Sequence, residues 1–232
     1  MNGHVYRVVL RSQISIGRVV ALAVLCAVAI LAGFLSRLAD DPVVVSTQTM
    51  AYFGILIFAP LLALTVGSAA LGNLVEDRTL VYLWLRPVSR ASMATATMAA
   101  VLTVTLPLVV VMMSASATIT GVDGLVVATA ATTALAAFAY SGLFVALGLR
   151  FKQSLFVGLG YVATWEWLLS NLGDSFARLS VRSYPMSLLA DATGVSLHLA
   201  DRSTVAAYVV PLAVGLAGVA YTAWRLQHTE ID

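Results

Sequence analysis

The stretch AYFGILIFAPLLALTVGSAALGNL, residues 51–74, contains no charged side chain and decides the fold class of this chain. A helix rises about 1.5 Å per residue, so about 20 apolar residues cross the ~30 Å hydrocarbon core of a bilayer. Backbone groups in lipid must be hydrogen-bonded within their own segment, which favours a helix. The stretch therefore predicts a membrane-spanning helix, in which Gly67 and Gly72 would let a neighbouring helix approach closely.

Five further segments have this character, and the six predicted spans cover residues 19–36, 51–74, 93–119, 125–149, 154–169 and 205–224. No long soluble domain fits between them. We therefore predict a single all-α integral membrane domain over residues 1–232, with six transmembrane helices. The first apolar run is longer than the core of a typical signal peptide and follows residues 1–18, so we expect an uncleaved anchor.

The composition excludes most soluble functions. Charged residues make up 10% of the chain and hydrophobic residues 60%, whereas a soluble domain has about 25% charged residues. That deficit excludes a soluble enzyme, a disordered tail and a nucleic-acid binder. Cys26 is the only cysteine, which excludes an intrachain disulfide and a multi-cysteine metal site. His4, His198 and His228 lie outside the predicted spans, so we predict neither a catalytic residue nor a metal site.

Positive residues concentrate on one side of the predicted spans. Nine of the 13 lysine and arginine residues share a side with the amino terminus: Arg7, Arg11, Arg18, Arg78, Arg86, Arg90, Arg150, Lys152 and Arg225. The other four are Arg37, Arg178, Arg182 and Arg202. Cytoplasmic loops carry the excess of positive charge. We therefore predict a multi-pass protein of a prokaryotic-type inner (plasma) membrane with both termini in the cytoplasm.

Residues 1–18 contain a polar stripe. Polar side chains recur there at spacings of three and four residues: His4, Arg7, Arg11, Ser15 and Arg18. On a helix these positions share one face, and the apolar residues between them fall largely on the other. The pattern predicts an amphipathic helix in the cytoplasmic membrane interface. A plain positively charged flank that fixes the topology is an alternative, and the two are compatible.

Residues 75–92 form the cytoplasmic loop between the second and third predicted spans. Asp77 or Thr79 can cap a short helix, and Pro87 stops it because it disfavours a helical Arg86. Ser89 can then cap the third span. We therefore predict a two-turn amphipathic helix at the cytoplasmic surface.

The two faces of this predicted loop helix differ. Leu80, Leu83 and Trp84 would hold it against the bilayer or neighbouring helices. The charged side chains that remain available are those of Glu76, Asp77, Arg86 and Arg90. The loop therefore predicts an interface for a soluble partner.

The outer segment, residues 170–204, is longer than the other outer loops. Its large apolar side chains are Phe176, Leu179, Met186, Leu188 and Leu189. Long structureless loops are uncommon in compact proteins. Gly194 could end a helix over residues 186–193, so we expect one or two short helices packed on, or dipping into, the outer leaflet.

Glu166 is the single acid inside a predicted span, and it lies between Trp165 and Trp167. A charge at membrane depth costs roughly 2.5 kcal/mol or more, which makes such a residue a functional candidate. One hypothesis places Glu166 on a translocation route, in contact with a cationic or hydrogen-bonding substrate. The other is structural: the carboxylate pairs with Arg178 or Arg182, or lies at the outer interface among the tryptophans.

Residues 76–90 resemble the signature loop of ABC transporter permeases of the type-two family (type V exporters). The matching residues are Glu76-Asp77, Thr79-Leu80, Leu83, Leu85 and Pro87-Val88-Ser89-Arg90. Arg78 stands where many members have glycine. The six-span layout, the basic amphipathic start and the long outer segment are also similar to this family.

The resemblance implies the parts of an ATP-driven exporter. The loop would contain the coupling helix, which docks on a separate ATP-binding subunit through Glu76, Asp77, Thr79, Leu80, Leu83, Arg86, Pro87 and Arg90. The amino-terminal helix, with Arg7, Arg11 and Arg18, would lie near that interface. Two permease subunits, identical or homologous, would pair around a route lined by the second and fifth spans. Residues 170–204 would form its extracytoplasmic gate, and the substrate would be hydrophobic or amphipathic.

The sequence predicts that this chain cannot hydrolyse ATP alone, so any ATP-driven work would be coupled through a partner. A P-loop needs a glycine-rich turn followed by lysine and Ser or Thr, and the only lysine, Lys152, follows no such turn. We therefore expect ATP and magnesium to bind to the partner and no cofactor to bind to this chain. The alternatives are an ion-coupled secondary transporter or channel with Glu166 as its coupling acid, and a structural or assembly subunit.

Overall fold

The computed structural model describes residues 3–12, 16–76, 89–151, 153–168, 174–197 and 202–228, and helices are the only regular secondary structure in these ranges. Five helical segments are long and apolar enough to cross a membrane: Val20–Arg37, Pro42–Ala70, Arg90–Thr120, Leu125–Arg150 and Thr204–His228. They correspond to the first four predicted spans and to the sixth. The all-α class is therefore confirmed.

The helices are numbered here in chain order. The first two are α1 (Gly3–Ser12) and α2 (Ile16–Arg37), and α3 consists of an α-helical part (Pro42–Thr49), a π-helical part (Met50–Phe58) and a second α-helical part (Ala59–Glu76). They are followed by α4 (Arg90–Thr120) and α5 (Leu125–Arg150). Helix α6 has an α-helical part (Ser154–Tyr161) and a π-helical part (Val162–Leu168). The last three are α7 (Asp174–Ala177), α8 (Ser183–Thr193) and α9 (Thr204–His228).

Helix α6 corresponds to the fifth predicted span, residues 154–169, and is shorter than the others. Its two parts contain 8 and 7 residues. At the α-helical rise they would extend about 22 Å, against the ~30 Å of a hydrocarbon core. Six spans therefore stay a prediction.

Helix α3 begins well before residue 51, where the hydropathy pattern placed the start of the second span. The Asp41 carboxylate accepts a hydrogen bond from the Val44 amide at 3.2 Å, and Pro42 occupies the first helical position. Proline is tolerated there because its missing N–H has no role in the first turn. The added part buries Ser46 and Thr47, which are polar residues that hydropathy assigns to a loop.

Two predicted helix boundaries are confirmed. Ser89 caps α4, since its Oγ accepts a hydrogen bond at 3.3 Å from the amide three residues later. Gly194 ends α8 with a φ of 68°, and its amide donates to the Ala190 carbonyl at 2.8 Å. Helix α8 begins at Ser183 rather than at residue 186, because Pro185 is tolerated in a first turn.

Helix α5 lies at the centre and packs against α3, α4 and α9. Small residues permit the closest approaches. A Cβ added at Gly67 on α3 would lie 3.3 Å from the Phe144 Cβ on α5, so the approach predicted from Gly67 is confirmed. Gly142 on α5 lies so close to Gly215 and Gly218 on α9 that a Cβ added at Gly142 or Gly218 would overlap the backbone of the facing helix.

Helices α3, α5 and α9 run in the same direction, because residue numbers at successive contacts between them increase on both helices of each pair. All three end where α4 begins. This basic end of the bundle is defined by Arg90 at the start of α4, Arg150 at the end of α5 and Arg225 near the end of α9. Arg37 closes α2 at the opposite end.

Helix α1 packs against α4 and α3. Val9 is buried while Arg7 is exposed, as an amphipathic helix requires. The Tyr6 hydroxyl donates to Thr103 Oγ1 on α4 at 3.1 Å. The position of α1 relative to a bilayer stays a prediction.

Candidate functional site

The Glu166 carboxylate joins α6 to the outer segment. The side chain lies in the π-helical part of α6 and is 0% exposed. Its Oε1 accepts hydrogen bonds from the Tyr161 hydroxyl at 2.8 Å and the Val181 amide at 3.1 Å. Its Oε2 accepts from the Ser180 hydroxyl at 2.5 Å and the Arg182 amide at 3.3 Å. Three of these donors belong to residues 180–182, directly before α8.

The two backbone donors explain why a carboxylate is stable at this position. Arg182 is the cap residue of α8, which begins at Ser183. The first amides of a helix have no acceptor within the helix and carry a partial positive charge, which favours a negative group near them. Glu166 therefore stabilises the start of α8 from a different helix.

Arg182 provides the opposite charge. Its side chain is 1% exposed. Burial lowers the pKa of the Arg182 guanidinium, while the negative charge of Glu166 raises it. Because arginine keeps its proton in proteins, each buried charge has a counter-charge nearby, and an uncompensated buried charge would be strongly destabilising.

The geometry supports the structural hypothesis for Glu166 and distinguishes the two arginines that it named. Arg182 is buried and interacts with Glu166. Arg178 is exposed, and its carbonyl accepts a hydrogen bond from the Tyr184 hydroxyl at 2.7 Å. A direct contact between Glu166 and a substrate would require the carboxylate to lose donors that it already has.

An aromatic layer connects this site to the centre of the bundle. The rings of Tyr140 and Phe144 on α5 stack with centroids 6.0 Å apart, and Phe144 meets the Tyr161 ring edge-on at 6.4 Å. The buried Tyr140 hydroxyl interacts electrostatically with Glu166, but it has no described partner at hydrogen-bond geometry. Glu166 is therefore enclosed by α5, α6 and the outer segment.

A second feature, the apolar groove, lies on the other side of α6. This groove has a volume of 540 Å³ and separates the π-helical part of α3 from α6. Helix α3 contributes Tyr52, Ile57 and Leu61 to its lining, and helix α6 contributes Leu159, Val162 and Trp167. Both π-helical segments contribute to the groove. Such segments are rare in proteins, and those that do occur are often found at functional sites.

The π-helical part of α6 presents consecutive residues to these two features. Glu166 is buried against the outer segment, whereas Trp167 is 60% exposed and lines the apolar groove. A displacement of this short segment would therefore act on the groove and on the Glu166 hydrogen bonds together.

The residues predicted to couple to a partner are only partly described. Glu76 is the last residue of α3, and Arg90 is the first of α4, with its Nη1 3.8 Å from Met93 Sδ. The predicted coupling residues that lie outside the described residues are Asp77, Thr79, Leu80, Leu83, Arg86 and Pro87. Arg7 is exposed on α1, and the side chains of Arg11 and Arg18 are also outside the described part.

Sequence reasoning missed Tyr161 and Ser180 as partners of Glu166. Tyr161 precedes Glu166 by five residues. A π-helix hydrogen-bonds residues five apart, whereas an α-helix brings residues three and four apart together. The α-helical periodicity therefore separates two side chains that the π-helical backbone brings into contact.

No protein-family model, no curated protein and no solved structure matches this chain. The resemblance of residues 76–90 to an ABC permease loop rests on Glu76-Asp77, Thr79-Leu80, Leu83, Leu85 and Pro87-Val88-Ser89-Arg90.

Proposed function

We propose that this chain is the membrane-spanning permease subunit of an ATP-driven ABC transporter, which exports a hydrophobic or amphipathic substrate. The observation that carries the proposal is the loop sequence of residues 76–90, which lies between two apolar helices of spanning length. Glu76 ends α3, and Ser89 caps α4. ATP would be bound and hydrolysed by a separate subunit that docks on this loop.

The position of α1 supports access of a soluble partner to the loop. Tyr6 on α1 bonds to Thr103, and Arg90 precedes Thr103 by 13 residues (103 − 90). At the α-helical rise, α4 extends about 20 Å beyond this contact toward its amino end. The predicted coupling loop is attached at that end of α4.

The helices attached to the loop are suited to transmit motion. Helix α3 packs closely on α5 where Gly67 meets Phe144 and where Ser68 meets Gly148. Packed helices shift as rigid bodies rather than deforming continuously. A force on the loop would therefore move α3 as a rigid body together with the helix that it packs on, rather than bend it.

The apolar groove supports the predicted kind of substrate. It lies between the second and fifth predicted spans, which the family resemblance assigns to the route. Its lining is almost entirely apolar, with Ile57 and Leu159 each 40% exposed. A second permease subunit facing this groove would enclose it, and the helices of the outer segment would close its outer end.

The ion-coupled alternative requires Glu166 to exchange protons or ions during transport. The carboxylate is 0% exposed and accepts bonds from four described donors. The geometry therefore gives less support to this alternative than to the ATP-driven transporter.

Charge reversal in the loop tests the proposal. The first step is to establish whether a neighbouring gene encodes a P-loop ATPase; the chain would then be co-expressed with that ATPase, and co-purification and ATPase stimulation would be measured. We expect the Glu76→Lys, Asp77→Lys double variant to insert normally but to lose both, because the docking charges are inverted. Asp123→Lys, at an exposed position between α4 and α5, is the matched control and should retain both. Substrate transport in vesicles without any nucleotide-consuming subunit would contradict the proposal.

A further inference from the structure

A lipid-facing groove lies between α5 and α9 at the basic end of the bundle. It has a volume of 420 Å³ and extends from Leu143 and Val214 to Arg150 and Tyr221. Its other lining residues are almost all apolar. It does not share residues with the apolar groove or with the Glu166 site.

The recess results from small residues between large ones. Gly142 meets Gly215 and Gly218 at backbone contact, which holds α5 and α9 together. Next to this contact, Ala217 and Gly218 contribute little side-chain volume to the lining. A recess therefore remains between these two helices and opens on the surface of the bundle.

The surface around the recess is apolar. Helix α9 is the less buried partner, with Leu212 42%, Leu216 62% and Trp224 50% exposed. Exposed side chains of this kind on a helix of spanning length face lipid chains. An acyl chain is therefore the component of a bilayer that meets the recess.

A positive charge lies at the end of the recess. Arg150 is the exposed last residue of α5, and its guanidinium carbon is 5.3 Å from the centroid of the Phe151 ring. Apart from this cation–π contact, no ion pair or hydrogen bond of its guanidinium is found within the described residues. Arg225 follows Tyr221 by four residues on α9 and adds positive charge to the same end.

We propose that the lipid-facing groove binds an anionic phospholipid, with an acyl chain in the recess and the phosphate on Arg150. Guanidinium groups bind phosphate bidentately, and basic pockets between spanning helices select anionic headgroups. The apolar lining would not retain a free anion, and a neutral lipid gains less from the positive charge of Arg150. The proposal does not depend on the transporter function.

The first experiment tests whether the positive charge of Arg150 binds the lipid phosphate. The purified full chain would be titrated with phosphatidylglycerol or phosphatidylcholine and bound lipid counted by native mass spectrometry. We expect a preference for phosphatidylglycerol that Arg150→Gln lowers about 10-fold, because a hydrogen bond to a charged group contributes about 1.5 kcal/mol. Arg37→Gln removes an exposed arginine at the opposite end of the bundle and should change nothing.

The second experiment tests whether an acyl chain occupies the recess. Ala217→Phe places a large side chain in the recess, and we expect loss of phosphatidylglycerol retention with Arg150 intact. Ala220→Phe, at an exposed position of α9 outside the groove, is the control. Unchanged retention in both Arg150→Gln and Ala217→Phe, equal binding of the two lipids, or displacement of the lipid by inorganic phosphate would overturn the proposal. A changed oligomeric state with unchanged lipid binding in Ala217→Phe would also overturn it, because the groove would then be an interface between copies.

Discussion

The Glu166 carboxylate has three of its four described donors outside its own helix. Ser180, Val181 and Arg182 follow it by 14 to 16 residues. These hydrogen bonds therefore fix the start of α8 against α6, and they are formed where little water competes. A buried donor left without an acceptor costs about 1–3 kcal/mol.

Glu166→Gln is expected to destabilise the protein by about 3 kcal/mol, in the range observed when one partner of a buried charge pair is removed. The amide nitrogen of glutamine would face backbone donors that cannot reverse their role, and Arg182 would lose its counter-charge. Thermal unfolding of the purified protein, followed by intrinsic tryptophan fluorescence, measures the effect.

The control is Arg178→Gln, because Arg178 is exposed and close in sequence. Its effect should stay within about 0.5 kcal/mol, as for surface substitutions. If Glu166→Gln left stability unchanged but altered transport per folded molecule, the residue would lie on the translocation route instead.

The importance of Glu166 could be predicted from the sequence, but its partners could not. A single acid within an apolar segment is conspicuous, whereas Arg178 and Arg182 are both at a suitable distance along the chain. The path of the chain toward α8 decides which arginine is buried. That path depends on packing against α5, which no local pattern encodes.

At the scale of helices, the contact between α5 and α9 depends on the absence of side chains. Gly142 on one helix meets Gly215 and Gly218 on the other. Lipid provides little hydrophobic drive for helices to associate, so close backbone packing contributes more of the stability.

Gly218→Leu is expected to destabilise the protein by about 1–3 kcal/mol, as overpacking does, because even its Cβ would overlap Gly142. The matched control is Gly160→Leu on α6, where a Cβ would have no neighbour within 4 Å. Both changes raise helix propensity equally, so the difference in thermal stability isolates the contact. Equal stability of the two variants would contradict the assigned packing.

The long helices were predictable because uninterrupted apolar runs and capping residues such as Ser89 and Gly194 are local signals. The π-helical segments Met50–Phe58 and Val162–Leu168 were not. Their composition is that of any apolar helix. A π-helix has one more residue between hydrogen-bonded groups than an α-helix. Contacts with neighbouring helices stabilise that extra residue, so the local sequence contains no signal for it.

At the scale of the whole molecule, the basic end is the end at which α3, α5 and α9 finish. The sequence predicts that it faces the cytoplasm. Cys26 is the only cysteine, so a Cys26→Ser background permits a direct test of this orientation.

In that background, Asp123→Cys lies between α4 and α5 and Gln153→Cys lies between α5 and α6, both at exposed positions. A membrane-impermeant maleimide applied to intact cells should label the Asp123→Cys protein and not the Gln153→Cys protein. Permeabilised cells should show both labelled, which controls for reactivity. The reverse pattern would invert the orientation.

The hydrogen bonds of Glu166 also constrain how the protein is made. The ribosome adds Glu166 before Ser180, Val181 and Arg182, so the carboxylate leaves the exit tunnel while three of its donors are still inside it. Until they arrive, water or the insertion machinery must solvate the charge. Helix α6 therefore completes its burial only after the chain that follows it has been synthesised and has folded back.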